Sequence, residues 1–408
     1  MDREDIVVGL DIGTSKIAAI IGNTWQGDPE KIEIIGVGTA PSKGLRKGVV
    51  VDIDLTSTAI REAIANAELM AGVEIGSVYA GIAGGHITGQ TQNGVVAVAG
   101  EGREITQSDV DRAISAAQAI SIPVEREVLH VIPQGFVVDN QDGIKEPVGM
   151  SGVRLEAYVH IITGAVASAQ NLVRSVYNTG ISVENIVLEP IASAGAVLSS
   201  EEKNLGVVLA DMGGGTTDTV VYKDGAPHHT AVLSLGGDHV TSDIAQLLKM
   251  THQDAEKLKV TRGCGCVDII ESDDTIPIST VGGTRRTRFV TKRDLTEIIQ
   301  CRMGEMLDLI GQEIAKSHLH IPSGVVLTGG TSLLDGLLEL AEQTFPYPVR
   351  IGYPRPLKGL TDRIHNPIYA TGVGLVIYGA SQRQIEPKRT FIKGNLFEQI
   401  LRRMKEWF

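Results

Sequence analysis

Gly206-Val207-Val208-Leu209-Ala210-Asp211-Met212-Gly213-Gly214-Gly215-Thr216-Thr217-Asp218 is the stretch on which the fold turns. Its apolar run ends at an aspartate and three glycines, and Thr219 to Tyr222 resumes the apolar pattern, which reads as a β-hairpin with a glycine tip. A turn at Asp224-Gly225, another strand and a helix after Asp238 follow. The first half repeats this arrangement: Ile6-Val7-Val8-Gly9-Leu10-Asp11-Ile12-Gly13, a tip with Thr14 and Ser15, and a returning strand from Ile17 to Ile21. Strands near Ile32 to Val37 and Val49 to Ile53, then a helix of about Thr56 to Ala71 stopped by Gly72, complete that copy. One Asp-x-Gly-x-Thr/Ser arises readily by chance. Two, each between apolar strands and each opening one half, point to internal duplication. The expected class is α/β with two lobes, which a length of 408 residues also favours.

Between the copies, residues 84–161 carry strands near Val95 to Val98 and Val128 to Val137 and a helix of about Gln107 to Ala119. They read as a compact insert following the strand Val78 to Ile82. A helix from Ala167 to Tyr177 and a strand from Ile186 to Leu188 resume the first lobe and deliver Glu189-Pro190-Ile191-Ala192-Ser193-Ala194 to a helix start. In the second lobe, helices from Asp254 to Val260 and Lys292 to Ser317 precede Val325-Val326-Leu327-Thr328-Gly329-Gly330-Thr331-Ser332, a strand feeding a glycine turn and a helix. The last core helix is expected over Tyr369 to Tyr378.

Glycine at a hairpin tip leaves backbone N–H groups unobstructed, and two such tips facing each other cradle a polyphosphate from both sides. That assigns Gly13, Thr14, Ser15 and Lys16 in one lobe to phosphate contacts. In the other lobe it assigns Gly213, Gly214, Gly215, Thr216 and Thr217, with Gly236 and Gly237 opening the next helix. Asp11 and Asp211 stand where a carboxylate holds Mg²⁺, directly or through water, against the phosphates; the bland alternative is a pair of turn caps. Gly329, Gly330 and Thr331 allow a flat ring or ribose to approach the backbone, or form a generic strand-to-helix turn. Glu189, with Pro190 restricting its backbone, is a candidate to orient water toward a γ-phosphate, or a structural acceptor.

A net charge of −12 opposes nonspecific binding of nucleic acid. Three cysteines (Cys264, Cys266, Cys301) form no even framework and no signal peptide precedes the first strand, so a reducing cytoplasm is expected. Cys264-Gly-Cys266 lacks the second ligand pair of a metal site. No run of about 18 apolar residues is present, so attachment to a membrane must be peripheral. The last fifteen residues offer it. Leu396, Phe397, Ile400, Leu401, Met404, Trp407 and Phe408 share one helical face, and Arg402, Arg403 and Lys405 lie on the other with Glu398, Gln399 and Glu406. Residues 388–408 carry six basic and two acidic side chains, so this end is +4 while the remainder is −16. Anionic lipid is the expected surface; the alternative is a helix docked on its own protein. Arg285, Arg286 and Arg288 form a short basic cluster, either a solvated loop or a seat for an acidic peptide.

The two phosphate hairpins, Glu-Pro-x-Ala-Ser, Leu-Thr-Gly-Gly-Thr-Ser and Tyr369-Ala-Thr-Gly-Val-Gly-Leu together resemble the actin-like ATPase superfamily over nearly the whole chain. Actin and MreB place a small subdomain between the third strand and the first helix, where Asp54-Leu55-Thr56 leaves no room for one. An insert relocated behind Ile82, Gly-Gly-Gly-Thr-Thr-Asp and the Thr241-Ser-Asp-Ile-Ala helix are similar to the FtsA family of bacterial division proteins. The resemblance implies a two-lobed fold of duplicated hairpin, strand and helix. A first lobe of residues 1–83, 163–195 and 363–382 carries a small α+β insert over 84–162. The second lobe spans 196–362, its outer part about 236–315; a linker covers 383–393 and an amphipathic helix 394–408. It further implies ATP with Mg²⁺, contacts from Glu256 and Lys259 to adenosine, and hydrolysis that is weak at most. The implied partners are the tail of the tubulin-like polymer FtsZ near Arg285, Arg286 and Arg288, filaments of the protein itself, and later division proteins at the insert. The implied location is the cytoplasmic face of the plasma membrane at the division site. Two rivals share the fold. A small-molecule kinase needs a catalytic aspartate for its substrate, and no separate candidate is visible; a pilus-assembly adaptor recruits a membrane protein and owns no lipid-binding helix.

Overall fold

The computed structural model describes residues 6–24, 31–99, 101–279 and 288–385. In the first lobe, strands β1 (Ile6–Ile12), β2 (Lys16–Thr24) and β3 (Ile32–Pro41) form an antiparallel meander, followed by helix α1 (Ile53–Ala71) and strand β4 (Ser77–Ile82). The insert contains β5 (Thr88–Ala97), α2 (Gln107–Ala117), β6 (Arg126–Val138), β7 (Gln141–Ile144) and β8 (Arg154–Ala165). The chain then returns through α3 (Val166–Tyr177), β9 (Ser182–Leu188) and α4 (Glu189–Val197).

The second lobe repeats the meander as β10 (Val207–Met212), β11 (Thr217–Lys223) and β12 (Ala226–Leu233). Helices α5 (Gly237–Leu248) and α6 (His252–Arg262), the ribbon β13 (Thr275–Ile278) and β14 (Arg288–Thr291), and the long α7 (Lys292–Ser317) follow. Then come β15 (Val325–Thr328), α8 (Leu337–Thr344), β16 (Val349–Ile351), β17 (Lys358–Gly359) and α9 (Ala370–Ile385).

The sheet orders are β9-β4-β1-β2-β3-β17 in the first lobe, β12-β11-β10-β15-β16 in the second and β5-β8-β6-β7 in the insert. The duplication extends to register. Ile12 pairs with Ile17 and Met212 with Thr217, so each hairpin has a four-residue tip, closed by Gly13 N–H on the Lys16 carbonyl at 3.1 Å and Gly213 N–H on the Thr216 carbonyl at 2.9 Å. Both central strands are buried along their length, as expected of strands covered on two faces. α9 lies against β1 and α4, and Gly9 and Gly374 permit that contact: a Cβ on Gly9 would stand 2.4 Å from the Gly372 carbonyl oxygen, and one on Gly374 1.8 Å from that of Ala192.

Several elements differ from expectation. α1 begins at Ile53 because Asp52, in extended conformation, accepts from the Leu55 N–H at 2.9 Å and caps the helix; the expected fourth strand shrinks to Val49–Val50. β8, one of the two inner strands of the insert sheet, has no counterpart among the expected elements. The glycine turn after β15 opens only a four-residue 3₁₀ turn, Gly330–Leu333, and the α-helix starts at Leu337. α9 runs through Ile385, three residues into the stretch 383–393 expected as a linker.

In the insert, α2 crosses β5 at Gly94, where a Cβ would stand 2.1 Å from the Ala113 carbonyl oxygen and 2.3 Å from the Ala117 nitrogen. Gly94→Ala is therefore expected to cost the insert about 1–3 kcal/mol through overpacking against backbone that cannot rotate away. A lowered thermal midpoint together with faster hydrogen exchange confined to α2 and β5 checks this.

Candidate functional site

A cavity of about 610 Å³ opens between the lobes, lined by both hairpin tips. The tips are in van der Waals contact across it. A Cβ on Gly214 would stand 1.9 Å from Ser15 Oγ, and one on Gly215 would stand 2.4 Å from Thr14 Oγ1 and 2.9 Å from Thr14 Cβ and Cγ2. Only glycine lets the facing backbones approach so closely. The second-lobe tip is held from its other side as well: Gly237 N–H donates to the Gly213 carbonyl at 3.0 Å, Asp238 N–H to the Gly214 carbonyl at 2.8 Å and Thr331 Oγ1 to the Gly213 carbonyl at 2.9 Å.

Four carboxyl groups line the same cavity. Asp11 and Asp211 are 8% and 7% exposed, Asp218 is 2% exposed, and Glu189 is half-buried beneath Gly81. Burial pushes the Asp11 carboxyl up to about 6, with Lys16 opposing and Asp211 adding to the rise. Asp218 is pushed up to about 8 by burial, against the pull of its hydrogen bond from Thr216. Burial also raises Glu189 well above the usual carboxylate range, and Asp11, Asp218 and Asp211 push it further. Asp211 is raised by burial too, although its Oδ2 accepts from Ser193 and, at 3.0 Å, from Thr371. Lys16 is the cation among these acids. Its Nζ donates to the Ile368 carbonyl at 2.7 Å and lies 4.4 Å from the centre of the Tyr369 ring, and burial lowers its pKa.

The cavity continues toward α6 and the turn after β15. Lys259 Nζ donates to the Gly237 carbonyl at 3.0 Å and to Thr241 Oγ1 at 2.8 Å, and pairs with Glu256 at 2.7 Å. Gly329, at φ +84, seats the turn against the second-lobe tip: a Cβ there would stand 2.4 Å from Asp211 Oδ1. Val260 and Leu333, both exposed, give this end an apolar lining.

Of the residues singled out in the sequence, Asp11, Gly13, Thr14, Ser15, Lys16, Glu189, Asp211, Gly213, Gly214, Gly215, Thr216, Gly237, Glu256, Lys259, Gly329, Gly330 and Thr331 line this one cavity. Gly236 packs directly behind the tip, and Thr217 Oγ1 is turned to the Leu235 carbonyl instead. Arg288 is exposed at the start of β14, far along the chain from the cavity's hairpins; Arg285 and Arg286 lie outside the described residues, as do Leu396, Phe397, Ile400, Leu401, Arg402, Arg403, Met404, Lys405, Trp407 and Phe408.

Asp218 escaped the sequence reading, although its signal was present. A four-residue tip sets Asp218 directly opposite Asp211 in the hairpin register. Its Thr216 bond, at 2.8 Å, satisfies Oδ2, and Oδ1 is buried with no hydrogen-bond partner among the described residues. A buried carboxylate oxygen left in this way beside the cavity, whose lining includes Asp218, suits a water or a hydrated cation. No cluster of three or more His, Cys, Asp or Glu side chains able to hold a metal ion occurs among the described residues. Cys264 Sγ donates to the Cys266 carbonyl at 3.3 Å. Among the described residues no helix is long and apolar enough to cross a membrane.

Comparison with known proteins bears on this arrangement. The family described as cell division protein FtsA matches residues 208–374, and the one described as the SHS2 domain inserted in FtsA matches residues 84–163. The chain is 44% identical to the cell division protein FtsA of Pseudomonas aeruginosa over 98% of its own length and 97% of that protein's. Among solved structures it is similar to a PilM-PilN type IV pilus biogenesis complex, with TM-score 0.66 and 17% identity, covering 92% of this chain and 98% of that one. It is also similar to MreB5 of Spiroplasma citri bound to ADP, with TM-score 0.60 and 12% identity over 95% and 100% of the two chains. The fold is the actin-like one, with an SHS2 insert in the first lobe.

Proposed function

Because the chain belongs to the FtsA family of cell division proteins, we propose that it binds ATP with Mg²⁺ in the interlobe cavity and anchors FtsZ filaments to the cytoplasmic face of the membrane. The observation that carries the nucleotide reading is the convergence of two glycine tips, three buried aspartates and the half-buried Glu189 on one cavity of about 610 Å³. In this reading the tip N–H groups take the phosphates, and Asp11 and Asp211 hold Mg²⁺ through water. Asp218, which lines the same cavity and whose buried Oδ1 has no hydrogen-bond partner among the described residues, supplies a third acid. Lys16 offsets phosphate charge, Glu189 orients water, and Glu256 and Lys259 border the adenosine. Hydrolysis is at most weak, and bound nucleotide favours self-association into filaments.

Attachment is assigned to residues 394–408, supported by their complete separation of apolar and basic residues. The second lobe, with Arg285, Arg286 and Arg288, is assigned the acidic tail of FtsZ, and the insert is assigned later division proteins. The position of the protein is then the division site.

Liposome co-sedimentation tests this with the full chain and with a chain ending at Lys393, each with ATP-Mg²⁺ and FtsZ, on vesicles with and without anionic lipid. The full chain is expected to pellet with anionic vesicles and carry FtsZ with it, while the shortened chain stays in the supernatant. Equal sedimentation of both chains would remove residues 394–408 from the membrane role; sedimentation of the full chain without FtsZ would remove the tether.

A further inference from the structure

The insert contacts both lobes beside the elements that line the cavity. On the first-lobe side, buried His130 of β6 accepts at Nε2 from the Leu188 N–H at 2.9 Å, one residue before Glu189. Its ring also meets Tyr378 of α9 edge-on, with centroids 6.4 Å apart. On the second-lobe side, the sheet of the insert lies across β12. His160 Nε2 and Thr230 Oγ1 are 3.0 Å apart, and Gln134 Nε2 donates to the Pro227 carbonyl at 2.9 Å. Lys145, on the rim, donates to the Gln134 carbonyl at 2.8 Å and to the Asp224 carbonyl. The absence of a side chain at Gly89 makes the seam possible: a Cβ there would stand 2.2 Å from Thr230 Oγ1 and 2.7 Å from His160 Nε2.

β12 leads from this seam straight into the cavity. Six residues after Thr230 the chain reaches Gly236, and the N–H groups of the next two residues, Gly237 and Asp238, hold the second-lobe tip through the Gly213 and Gly214 carbonyls. Thr217 Oγ1 ties the strand end to the same hairpin at the Leu235 carbonyl, 2.9 Å away. β12 ends at Leu233 and Leu235 is fastened to the hairpin by Thr217, so only Ser234, Leu235 and Gly236 separate the strand that carries Thr230 from Gly237. The seam and the tip-to-tip contact of Thr14 with Gly215 are formed in one and the same arrangement. Two contact sets that favour the same arrangement stabilise each other, and loss of one weakens the other.

We propose that the insert is a brace across the lobes, in which His130, His160 and Thr230 are positioning residues that set the affinity of the cavity for a nucleoside triphosphate. Reciprocity follows: a partner docked on the insert alters nucleotide affinity by the same factor by which nucleotide alters that partner's affinity. The proposal rests on the nucleotide reading given above.

Titration of the full chain with a fluorescent ATP analogue and Mg²⁺ tests it, with circular dichroism to establish folding. Thr230→Val keeps the shape of the side chain and removes the hydroxyl; Lys145→Ala removes the two rim contacts from an exposed position. Each is expected to weaken binding by about fivefold, the factor that one net hydrogen bond corresponds to. His130→Leu is expected to do the same and His130→Gln, whose amide oxygen accepts from the Leu188 N–H, to restore affinity to within about twofold of the native chain. Affinity unchanged in folded Thr230→Val and Lys145→Ala overturns the brace while leaving the nucleotide site intact. If Thr230→Val does not fold, Lys145→Ala alone decides. Failure of the native chain to bind the analogue would instead overturn the nucleotide reading, and the brace with it.

Discussion

Gly215→Val is expected to weaken binding of ATP-Mg²⁺ by about a hundredfold while leaving each lobe folded. Already the first atom of a side chain at this position would stand 2.4 Å from Thr14 Oγ1 and 2.9 Å from both Thr14 Cβ and Cγ2. No rotation of Thr14 clears all three, so the tips must separate by more than an ångström. Overpacking of this kind costs about 1–3 kcal/mol, and the displaced N–H groups no longer converge on one phosphate. The neighbouring Gly214 is the informative contrast. There the nearest obstacle is Ser15 Oγ, the end of an exposed side chain that can turn away, and Gly214→Ala is expected to lose only a small part of that factor. The clash has a specific remedy: Thr14→Gly in the Gly215→Val background removes the opposing atoms, and the double variant should regain most of the lost affinity. Isothermal titration of the three chains, with thermal midpoints measured in parallel, checks the argument. A double variant no better than Gly215→Val alone would show that the tips do not meet in solution as they do in the structure.

The hairpins were legible because their signal is local. Apolar runs ending in glycine fix strand, tip and return within a dozen residues, and register follows from tip length. Glu189 was legible for a similar reason, since the apolar run Ile186-Val187-Leu188 that ends β9 is followed directly by an acid and a proline. β8 was missed although Leu155, Ala157, Val159 and Ile161 alternate into the insert core. Its other face carries Glu156, Tyr158 and His160, and their burial or exposure depends on which elements lie above them. Only the tertiary arrangement puts His160 under β12 while leaving Tyr158 exposed. Asp218 illustrates the same limit. The hairpin register places it opposite Asp211, but that its Oδ1 is left without a partner beside the cavity depends on groups far away in sequence. The supports of Asp211 are equally remote: Ser193 precedes it on α4 and Thr371 follows it on α9, 160 residues later. A sequence read segment by segment shows neither.

The acids of the cavity are expected to impose opposite pH dependences on nucleotide binding with and without metal, with a difference on the order of tenfold or more between pH 6 and pH 8.5. Burial pushes Asp218 up to about 8 and Asp11 up to about 6 in the ligand-free cavity. At pH 6 Asp218 therefore carries its proton and Asp11 is divided between its two forms; at pH 8.5 both are charged. A hydrated Mg²⁺ held by these groups favours the deprotonated forms, so its binding releases protons below their pKa values, and affinity for ATP-Mg²⁺ climbs as pH rises through 6 to 8. A bare polyphosphate favours the protonated, neutral forms, so ATP in the presence of a chelator should bind more weakly as pH rises over the same interval. Calorimetry in buffers of differing ionisation enthalpy reads the proton count directly: release with Mg²⁺, uptake without. Asp218→Asn, which cannot titrate, should reduce the slope of both curves around pH 8 and leave the contributions of Asp11 and of the other raised acids, Asp211 and Glu189. Parallel pH profiles with and without metal, in the native chain, would separate the four acids from cation binding altogether and leave them as a structural cluster that keeps its protons.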